Sequence, residues 1–261
     1  MKPGRLPERI VSLVPSLTEA LFALGLGPRV VGATDWCVHP ADALAGVPRV
    51  GGTKDPDVDA IARLRPGLVI ANREENTRRT VTRLEAAGIP VWVTYPRTVA
   101  EGARLLRELA ELGGRRAELA SVVAPVEEAL ARAQAARAAS PPRVFCPIWK
   151  HPWMAVGADT YAHDLIELCG GRNAFGGSGG RRYPVVREVE ILAAAPEVIL
   201  LPDEPYAFGA EDVRELRALA VPAAASGRIH CVDGTLLSWY GPRIRRAIEL
   251  LRSLLAADER P

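Results

Sequence analysis

Residues 59–70 read DAIARLRPGLVI, and this stretch aligns without gaps on residues 189–200, VEILAAAPEVIL. Each copy pairs a short helical pattern with a proline that cannot continue the helix, and an apolar run typical of a buried strand follows the proline. A polar segment comes after each run: residues 72–75 (NREE) in the first copy and Asp203-Glu204 in the second. In open α/β sheets, ligands bind at the carboxyl ends of the strands. The internal repeat therefore predicts two equivalent α/β lobes, each carrying part of a binding site.

The rest of the chain continues the alternation of strand and helix, which favours α/β units with parallel strands. Apolar runs that we interpret as strands occur at residues 10–14, 30–33, 67–71 and 91–95 in the first half, and at 143–147, 153–156, 198–201 and 228–232 in the second. The first run leads into a helix for which we predict Ser16 as N-cap, with Glu19 completing a capping box. The predicted fold class is α/β, with two Rossmann-like lobes built on central parallel sheets.

The two halves are separated by residues 99–139, which are dense in Ala, Arg, Glu and Leu. These residues are strong helix formers, and Gly113-Gly114 and Pro125 interrupt them. A helix over residues 115–139 would extend ~37 Å, although Pro125 kinks or breaks an interior helix unless packing compensates. We therefore predict a stiff helical connection and three segments: an N-terminal lobe (1–98), a helical backbone (99–140) and a C-terminal lobe (141–261).

Composition indicates a soluble globular protein and argues against a polyanionic partner. Hydrophobic residues make up 48% of the 261 residues and charged residues 25%. The net charge of +2 favours neither nucleic acid nor an anionic membrane surface as a partner. Of 33 basic residues only three are lysines, Lys2, Lys54 and Lys150, which we interpret as a bias of genome composition.

Short signatures of metal-binding and catalytic sites are missing from the sequence. The four cysteines form no CxxC pair and are expected to be buried or semi-buried free thiols; they are Cys37, Cys146, Cys169 and Cys231. The histidines show neither HxxxH nor HxH spacing, and the glycine-rich residues 176–180 (GGSGG) lack both a P-loop ending and a preceding strand. We therefore predict no catalytic residues, no resident metal and no intrinsic cofactor.

Several motifs carry a family resemblance over nearly the whole chain and in the expected order. They are residues 9–19 (RIVSLVPSLTE), 30–35 (VVGATD), 50–52 (VGG), 61–70, 168–175 (LCGGRNAF), 183–186 (YPVV) and 241–244 (GPRI). The chain resembles the class III, helical-backbone metal-receptor family of substrate-binding proteins of ABC importers, and among them looks closest to the cobalamin-binding branch.

The resemblance implies two Rossmann-like lobes joined by one long α-helix, with a ligand cleft between the lobes. It implies a metal chelate as ligand, cobalamin or a related corrinoid first and an iron-siderophore or heme as alternative. It also implies a monomer that docks on the permease dimer of an ABC transporter, in the periplasm or at the cell surface.

The first residues contain no apolar core of a signal peptide, so a cytoplasmic ligand-sensing or storage module of the same fold is a second hypothesis. An enzyme that uses Asp203, Glu204 or His151 for acid–base chemistry is a third.

Candidate ligand residues come from the placement of aromatic and turn residues. The aromatic residues that fall mostly in loops or at strand ends are Trp36, Trp149, Trp153, Tyr183, Tyr206, Trp239 and Tyr240. Their rings suit stacking against a flat macrocycle, although packing under a loop is the structural alternative for each. The candidate set takes all of them except Trp149 and adds Pro15, Ser16, Asn72, Asp203 and Glu204. The two carboxylates, which lie between prolines, have loop capping as their alternative role.

The resemblance also implies one acidic docking residue on each lobe, in the short helix of the repeat. Asp59 occupies that position in the first lobe. The matching position in the second lobe is Val189, so its neighbours Glu188 and Glu190 are the candidates for docking the transporter.

Overall fold

A computed structural model describes residues 2–136 and 140–256, and the chain forms two compact units. Unit 1 comprises Met1–Pro96, Glu101–Glu127 and Tyr240–Pro242, and unit 2 comprises Arg97–Ala100, Glu128–Trp239 and Arg243–Pro261. Among the described residues, no helix has both the length and the apolar character needed to cross a membrane.

Unit 1 contains a four-stranded parallel sheet in the order β2-β1-β3-β4. The strands are β1 (Ile10–Ser12), β2 (Val30–Ala33), β3 (Leu68–Asn72) and β4 (Val91–Thr94). All five residues of β3 are buried, as expected for a central parallel strand covered on both faces. The predicted first-half strands are therefore confirmed.

The helices of unit 1 follow local capping signals. They are α1 (Pro15–Ala23), α2 (Ala41–Leu44), α3 (Val58–Arg63), α4 (Arg78–Ala86) and most of α5 (Val99–Leu112). Asp57 caps α3 by accepting from Ala60 N at 2.9 Å, and Thr77 caps α4 by accepting from Thr80 N at 3.1 Å.

The predicted capping box at the start of α1 is wrong. The helix begins at Pro15, its N-cap is Val14, and no side chain caps it. Proline is favoured at the first helical position because its fixed φ suits the helix and its missing N–H would be unpaired there in any case. Ser16 therefore lies inside the first turn, and its side chain is buried.

The connection between the halves is helical but is not one regular α-helix. A helical run extends through α6 (Arg116–Glu118), a π-helical turn (Leu119–Val123) and α7 (Ala124–Ala135). The π-helical turn ends two residues before Pro125. Because proline has no N–H to donate, it interrupts the regular hydrogen-bond pattern of the helix. The expected helix over 115–139 is thus present from 116 to 135 with this interruption, and residues 137–139 lie outside the described residues. The three-part division at 98/99 and 140/141 stays a prediction.

Unit 2 repeats the design with a parallel sheet in the order β10-β9-β5-β8 and a separate hairpin, β6-β7. The strands are β5 (Arg143–Phe145), β6 (Pro147–Trp149), β7 (Met154–Ala155), β8 (Arg172–Asn173), β9 (Val198–Pro202) and β10 (Ile229–Val232). The helices that follow α7 are α8 (Tyr161–Leu168), α9 (Glu188–Ala194), α10 (Ala210–Arg217), α11 (Pro222–Ser226), α12 (Thr235–Ser238) and α13 (Ile244–Leu255). The core includes Phe145, Ile191, Ile199 and Leu201, so the predicted second α/β lobe is confirmed.

Candidate functional site

Trp36 stands out on unit 1 because its indole is 65% exposed just after β2. The loop that carries Trp36 is held by hydrogen bonds from the Arg49 side chain. Arg49 Nη1 donates to Thr34 O at 2.8 Å and to Cys37 O at 2.7 Å. The Cys37 thiol is buried, with the hydroxyls of Thr18 and Thr34 each 3.1 Å from its sulfur. A large apolar ring is therefore presented to solvent on a well-anchored loop.

Asn72 and Tyr240, both predicted to touch ligand, form a buried hydrogen-bonded pair within unit 1. Asn72 Nδ2 donates to Tyr240 Oη at 2.6 Å, and Asn72 Oδ1 accepts from Glu74 N at 2.7 Å. The backbone N–H of Asn72 donates to Asn76 Oδ1 at 2.8 Å, and Asn76 Nδ2 donates to Thr53 O at the same distance. These side chains brace the loop after β3. Their contact with a ligand stays a prediction.

Pro15 and Ser16 are also buried in unit 1. The Ser16 hydroxyl makes no hydrogen bond with any residue that the structure describes. A buried hydroxyl without a partner is uncommon, because its desolvation is not compensated.

Unit 2 presents a stack of aromatic rings rather than a single indole. The Trp153 ring lies parallel to the Phe208 ring at 5.9 Å between centroids, and the Tyr206 ring lies 4.6 Å from Phe208. Trp149 meets Tyr206 edge-on at 5.6 Å and is 43% exposed. Such offset and edge-on pairs are the favoured arrangements of aromatic rings. The structure thus brings the predicted residues Trp153 and Tyr206 together.

Asp203 and Glu204 brace neighbouring loops of unit 2. Asp203 Oδ1 accepts from Gly234 N at 2.7 Å. Glu204 Oε1 accepts from Ser238 Oγ at 2.9 Å and from Trp239 Nε1 at 3.0 Å. The segments that follow β9 and β10 are therefore joined by these hydrogen bonds. These contacts correspond to the loop-capping alternative, and ligand contact by the two carboxylates stays a prediction.

Tyr183 is 38% exposed and is held by a chain of charged groups in unit 2. The Arg182 guanidinium lies 5.9 Å from the Tyr183 ring centroid. Asp159 pairs with Arg182 at 2.9 Å and with Arg97 at 2.8 Å. The carboxylate orients Arg182, and Arg182 in turn lies against the tyrosine ring, so the ring is presented in a defined position.

The carboxylates of the two acidic candidates near Val189 differ in whether other residues already bind them. Glu190 Oε2 accepts from Arg187 N at 2.8 Å and pairs with Arg187 Nε at 3.2 Å, and the backbone hydrogen bond lowers the pKa of Glu190. Glu188 is exposed at the first position of α9, and its carboxylate pairs with no other described residue. Asp59 is exposed in the first turn of α3. Glu188 is therefore the freer of the two second-lobe candidates.

Thiols and metal-ligating groups do not converge on a reactive centre within residues 2–136 and 140–256. No group of three or more His, Cys, Asp or Glu side chains lies close enough to hold a metal ion in that part of the chain. Burial raises the pKa of Cys146 and of Cys169 to about 12, whereas the thiol of Cys231 is exposed.

Trp149 is the main site feature outside the sequence-based candidate set. Its exposure and its contact with Tyr206 place it with the other rings of unit 2. The available signal was its position at the end of the β6 run, four residues before the candidate Trp153. Sequence alone does not show whether such a ring faces solvent or packs under a loop.

Two α/β units, each built on a parallel sheet and each carrying exposed aromatic rings, define a two-lobed ligand-binding protein. A family comparison agrees: residues 10–234 match the periplasmic binding protein family, and the chain belongs to that family. It is accordingly a binding protein and not an enzyme.

Characterised relatives extend over almost the whole chain. The vitamin B12-binding protein of Photorhabdus laumondii is 27% identical over 249 residues, which cover 94% of this chain and 86% of that protein. The periplasmic heme-binding protein RhuT of Roseiflexus sp. RS-1 is 27% identical, with a TM-score of 0.79 and coverage of 97% and 98%. The periplasmic vitamin B12-binding protein BtuF of Vibrio cholerae has a TM-score of 0.81 over 95% and 96% of the chains; at 23% identity it shows the fold alone.

Proposed function

We propose that this protein captures a metal chelate, with cobalamin or a related corrinoid as the first choice. The observation that carries the proposal is the set of exposed rings in loops and at a strand end: Trp36 in unit 1, and Trp149 and Tyr183 in unit 2. Large exposed aromatic side chains at fixed positions are typical of ligand-binding surfaces. A corrin offers a broad, mostly apolar face with polar edges, which matches rings that each carry one polar group.

The similarity to vitamin B12-binding proteins supports the corrinoid choice over other chelates. Within the described ranges, 2–136 and 140–256, no cluster of His, Cys, Asp or Glu side chains could hold a bare metal ion. Stacking against a macrocycle needs rings rather than a metal-ligating cluster, so it is consistent with the side chains on both units.

Titration with cyanocobalamin, followed by tryptophan fluorescence and by calorimetry, tests the proposal. We expect saturable one-to-one binding that weakens when Trp36 or Trp149 is replaced by alanine. Trp92→Phe is the matched control, because Trp92 is buried in β4 and should not touch the ligand. Cobinamide, hemin and a ferric siderophore are titrated in parallel. Absence of binding to all four would refute the proposal.

Heme is the second candidate, favoured by the likeness to RhuT and by one exposed imidazole. His151 is exposed in the turn between β6 and β7, beside the aromatic rings of unit 2. Heme iron in proteins is commonly held by His or Tyr. If heme is the ligand, hemin should give a sharpened Soret band that His151→Ala shifts, while cyanocobalamin shows no binding.

We further propose that the loaded protein acts outside the cytoplasmic membrane and docks on the permease dimer of an ABC importer through Asp59 and Glu188. The family to which the chain belongs supports the location, and the exposure of both carboxylates supports the docking role. An exposed charge contributes to docking mainly when it meets an opposite charge on the partner.

Charge reversal separates docking from ligand binding. The Asp59→Lys/Glu188→Lys variant should bind cyanocobalamin normally but fail to retain an ABC permease from detergent-solubilised membranes of the native organism. The control is Glu211→Lys, which reverses a highly exposed charge on α10. If both variants retain the permease, these residues do not dock. If native cells keep the protein in the cytoplasm and no permease is retained, the sensing or storage hypothesis replaces transport.

A further inference from the structure

Lys150 is buried in the turn between β6 and β7, and only 8% of it is exposed. Lysine rarely lies so deep unless its charge is paired. Its ammonium donates to Asp212 Oδ1 at 2.7 Å and to Glu215 Oε2 at 2.6 Å, and both carboxylates belong to α10. The turn and the helix are thus joined by two charge-assisted hydrogen bonds, which are among the stronger kinds.

The same ammonium lies against an aromatic ring of the candidate site. Lys150 Nζ is 5.4 Å from the centroid of the Trp153 ring, within the range of a cation–π interaction. Trp153 in turn stacks on Phe208 and contacts Phe145 edge-on. The position of Trp153 is therefore set by the ammonium as well as by apolar packing.

The carboxylate partners are themselves fixed. Asp212 is buried, and its second oxygen accepts from Gly209 N at 2.8 Å at the start of α10. Burial alone would lower the pKa of Lys150, but the hydrogen bonds to Asp212 and Glu215 outweigh it and raise the pKa. Lys150 consequently stays charged across the physiological range, and the contact with Trp153 does not titrate away.

We propose that Lys150 is a positioning residue that holds Trp153, and through it the aromatic rings of unit 2, in the arrangement that receives the ligand. This inference rests on the proposed function, because it assigns Trp153 to the binding surface. Lys150 itself does not touch the ligand. It acts by fixing the ring between α10 and the β6-β7 turn.

A double-mutant cycle on cyanocobalamin affinity tests this role. Lys150→Met keeps most of the length of the side chain but removes the charge, and we expect the Kd to rise about tenfold. In a Trp153→Phe background the same substitution should raise the Kd less than about twofold, because the indole ring through which Lys150 affects binding has been replaced. Equal losses in both backgrounds would overturn the proposal, since they would indicate a general structural effect.

Tryptophan emission gives a readout that does not need the ligand. The Trp153 contribution is the difference between the spectra of the parent chain and of Trp153→Phe. It should change in wavelength or intensity in Lys150→Met, because the neighbouring charge is lost. The matched control is Lys2→Met, whose ammonium pairs with Glu108 in unit 1 at 3.0 Å and should leave the Trp153 contribution unchanged. An unchanged contribution in Lys150→Met would also overturn the proposal.

A milder variant keeps the experiment decisive if Lys150→Met does not fold. Glu215→Gln removes the half-exposed carboxylate and leaves the buried Asp212 pair in place. It should raise the Kd about threefold in the parent chain and less in the Trp153→Phe background. If the parent chain binds neither cyanocobalamin nor hemin, the proposed function fails, and the emission experiment still tests whether the Lys150 ammonium interacts with the Trp153 ring.

Discussion

The two α/β units carry the same strand design but offer different surfaces beyond their strands. In unit 1 the predicted polar residues Asn72 and Tyr240 bond to each other and are buried, and Trp36 is exposed above an anchored loop. In unit 2 several rings pack against one another, and Trp149 and Tyr183 remain partly open. Removing one member of a buried hydrogen-bonded network deprives its neighbours of a partner and so lowers the stability of the fold. Each of several packed rings, in contrast, supplies only part of the binding free energy. Substitutions within the hydrogen-bonded network of unit 1 should therefore lower stability, whereas substitutions among the packed rings of unit 2 should reduce affinity by small steps.

The largest effect is expected for Asn72→Ala in unit 1. The substitution removes the donor to the Tyr240 hydroxyl and the acceptor of the Glu74 N–H. A hydrogen bond contributes about 0.5–1.5 kcal/mol, and a buried side chain is truncated at the same time, so the free energy of unfolding should fall by about 2–3 kcal/mol. Urea denaturation followed by circular dichroism measures the change.

Tyr240→Phe is the partial control for this network. It removes the acceptor but keeps the bond from Glu74 N, so the free energy of unfolding should fall by only about 1 kcal/mol. If Asn72→Ala is no more harmful than Tyr240→Phe, the loop after β3 does not depend on the Asn72 carbonyl, and the contrast between the units weakens.

The second effect concerns affinity rather than stability. Trp36→Ala should weaken cyanocobalamin binding about thirtyfold, about 2 kcal/mol, as for a central aromatic residue of an interface. Its melting temperature should stay unchanged, because the indole is mostly exposed and Arg49 and Cys37 hold the loop without it. The control Val38→Ala removes an exposed apolar side chain two residues away and should have little effect. A similar loss in both variants would mean that the loop, and not the indole, contacts the ligand.

The third effect is smaller and tests the shared contribution in unit 2. Trp149→Ala and Tyr206→Ala should each raise the Kd about threefold to fivefold, since neighbouring rings still cover part of the ligand face. Because the two rings touch, the double variant should lose less than the product of the single losses. Calorimetry on the four proteins measures this coupling. Losses that multiply fully would show two independent contacts.

Local signals made most of the fold predictable from sequence. The apolar runs of β3 and β9 and the prolines before them mark buried strands in both halves. Thr77 caps its helix through a hydroxyl three residues from the bonded N–H, which is a purely local contact. The prediction that Ser16 caps α1 is wrong because Pro15 and Ser16 both suit the start of a helix, and the sequence alone does not show which of them begins it.

The candidate site was less predictable because it depends on contacts between distant residues. Asn72 and Tyr240 are 168 residues apart, and their hydrogen bond leaves no local pattern. The same holds for Lys150, whose carboxylate partners lie more than sixty residues further along the chain. Residue type predicted which side chains can stack or bond, and tertiary packing decided which of them are exposed.

The smallest effect is expected for Ser16→Ala in unit 1. The Ser16 hydroxyl is buried and makes no hydrogen bond among the described residues, so its removal relieves an uncompensated desolvation. Alanine is also the better helix former at this position of α1. The free energy of unfolding should stay the same or rise by up to about 1 kcal/mol. Thr18→Val, two residues further along α1, should instead lower the free energy of unfolding by about 1 kcal/mol, because the Thr18 hydroxyl donates to Ser12 Oγ at 2.8 Å and lies 2.9 Å from Val14 O. If Ser16→Ala leaves stability unchanged but clearly weakens cyanocobalamin binding, the hydroxyl has its partner in the ligand, and unit 1 contributes a polar contact in addition to Trp36.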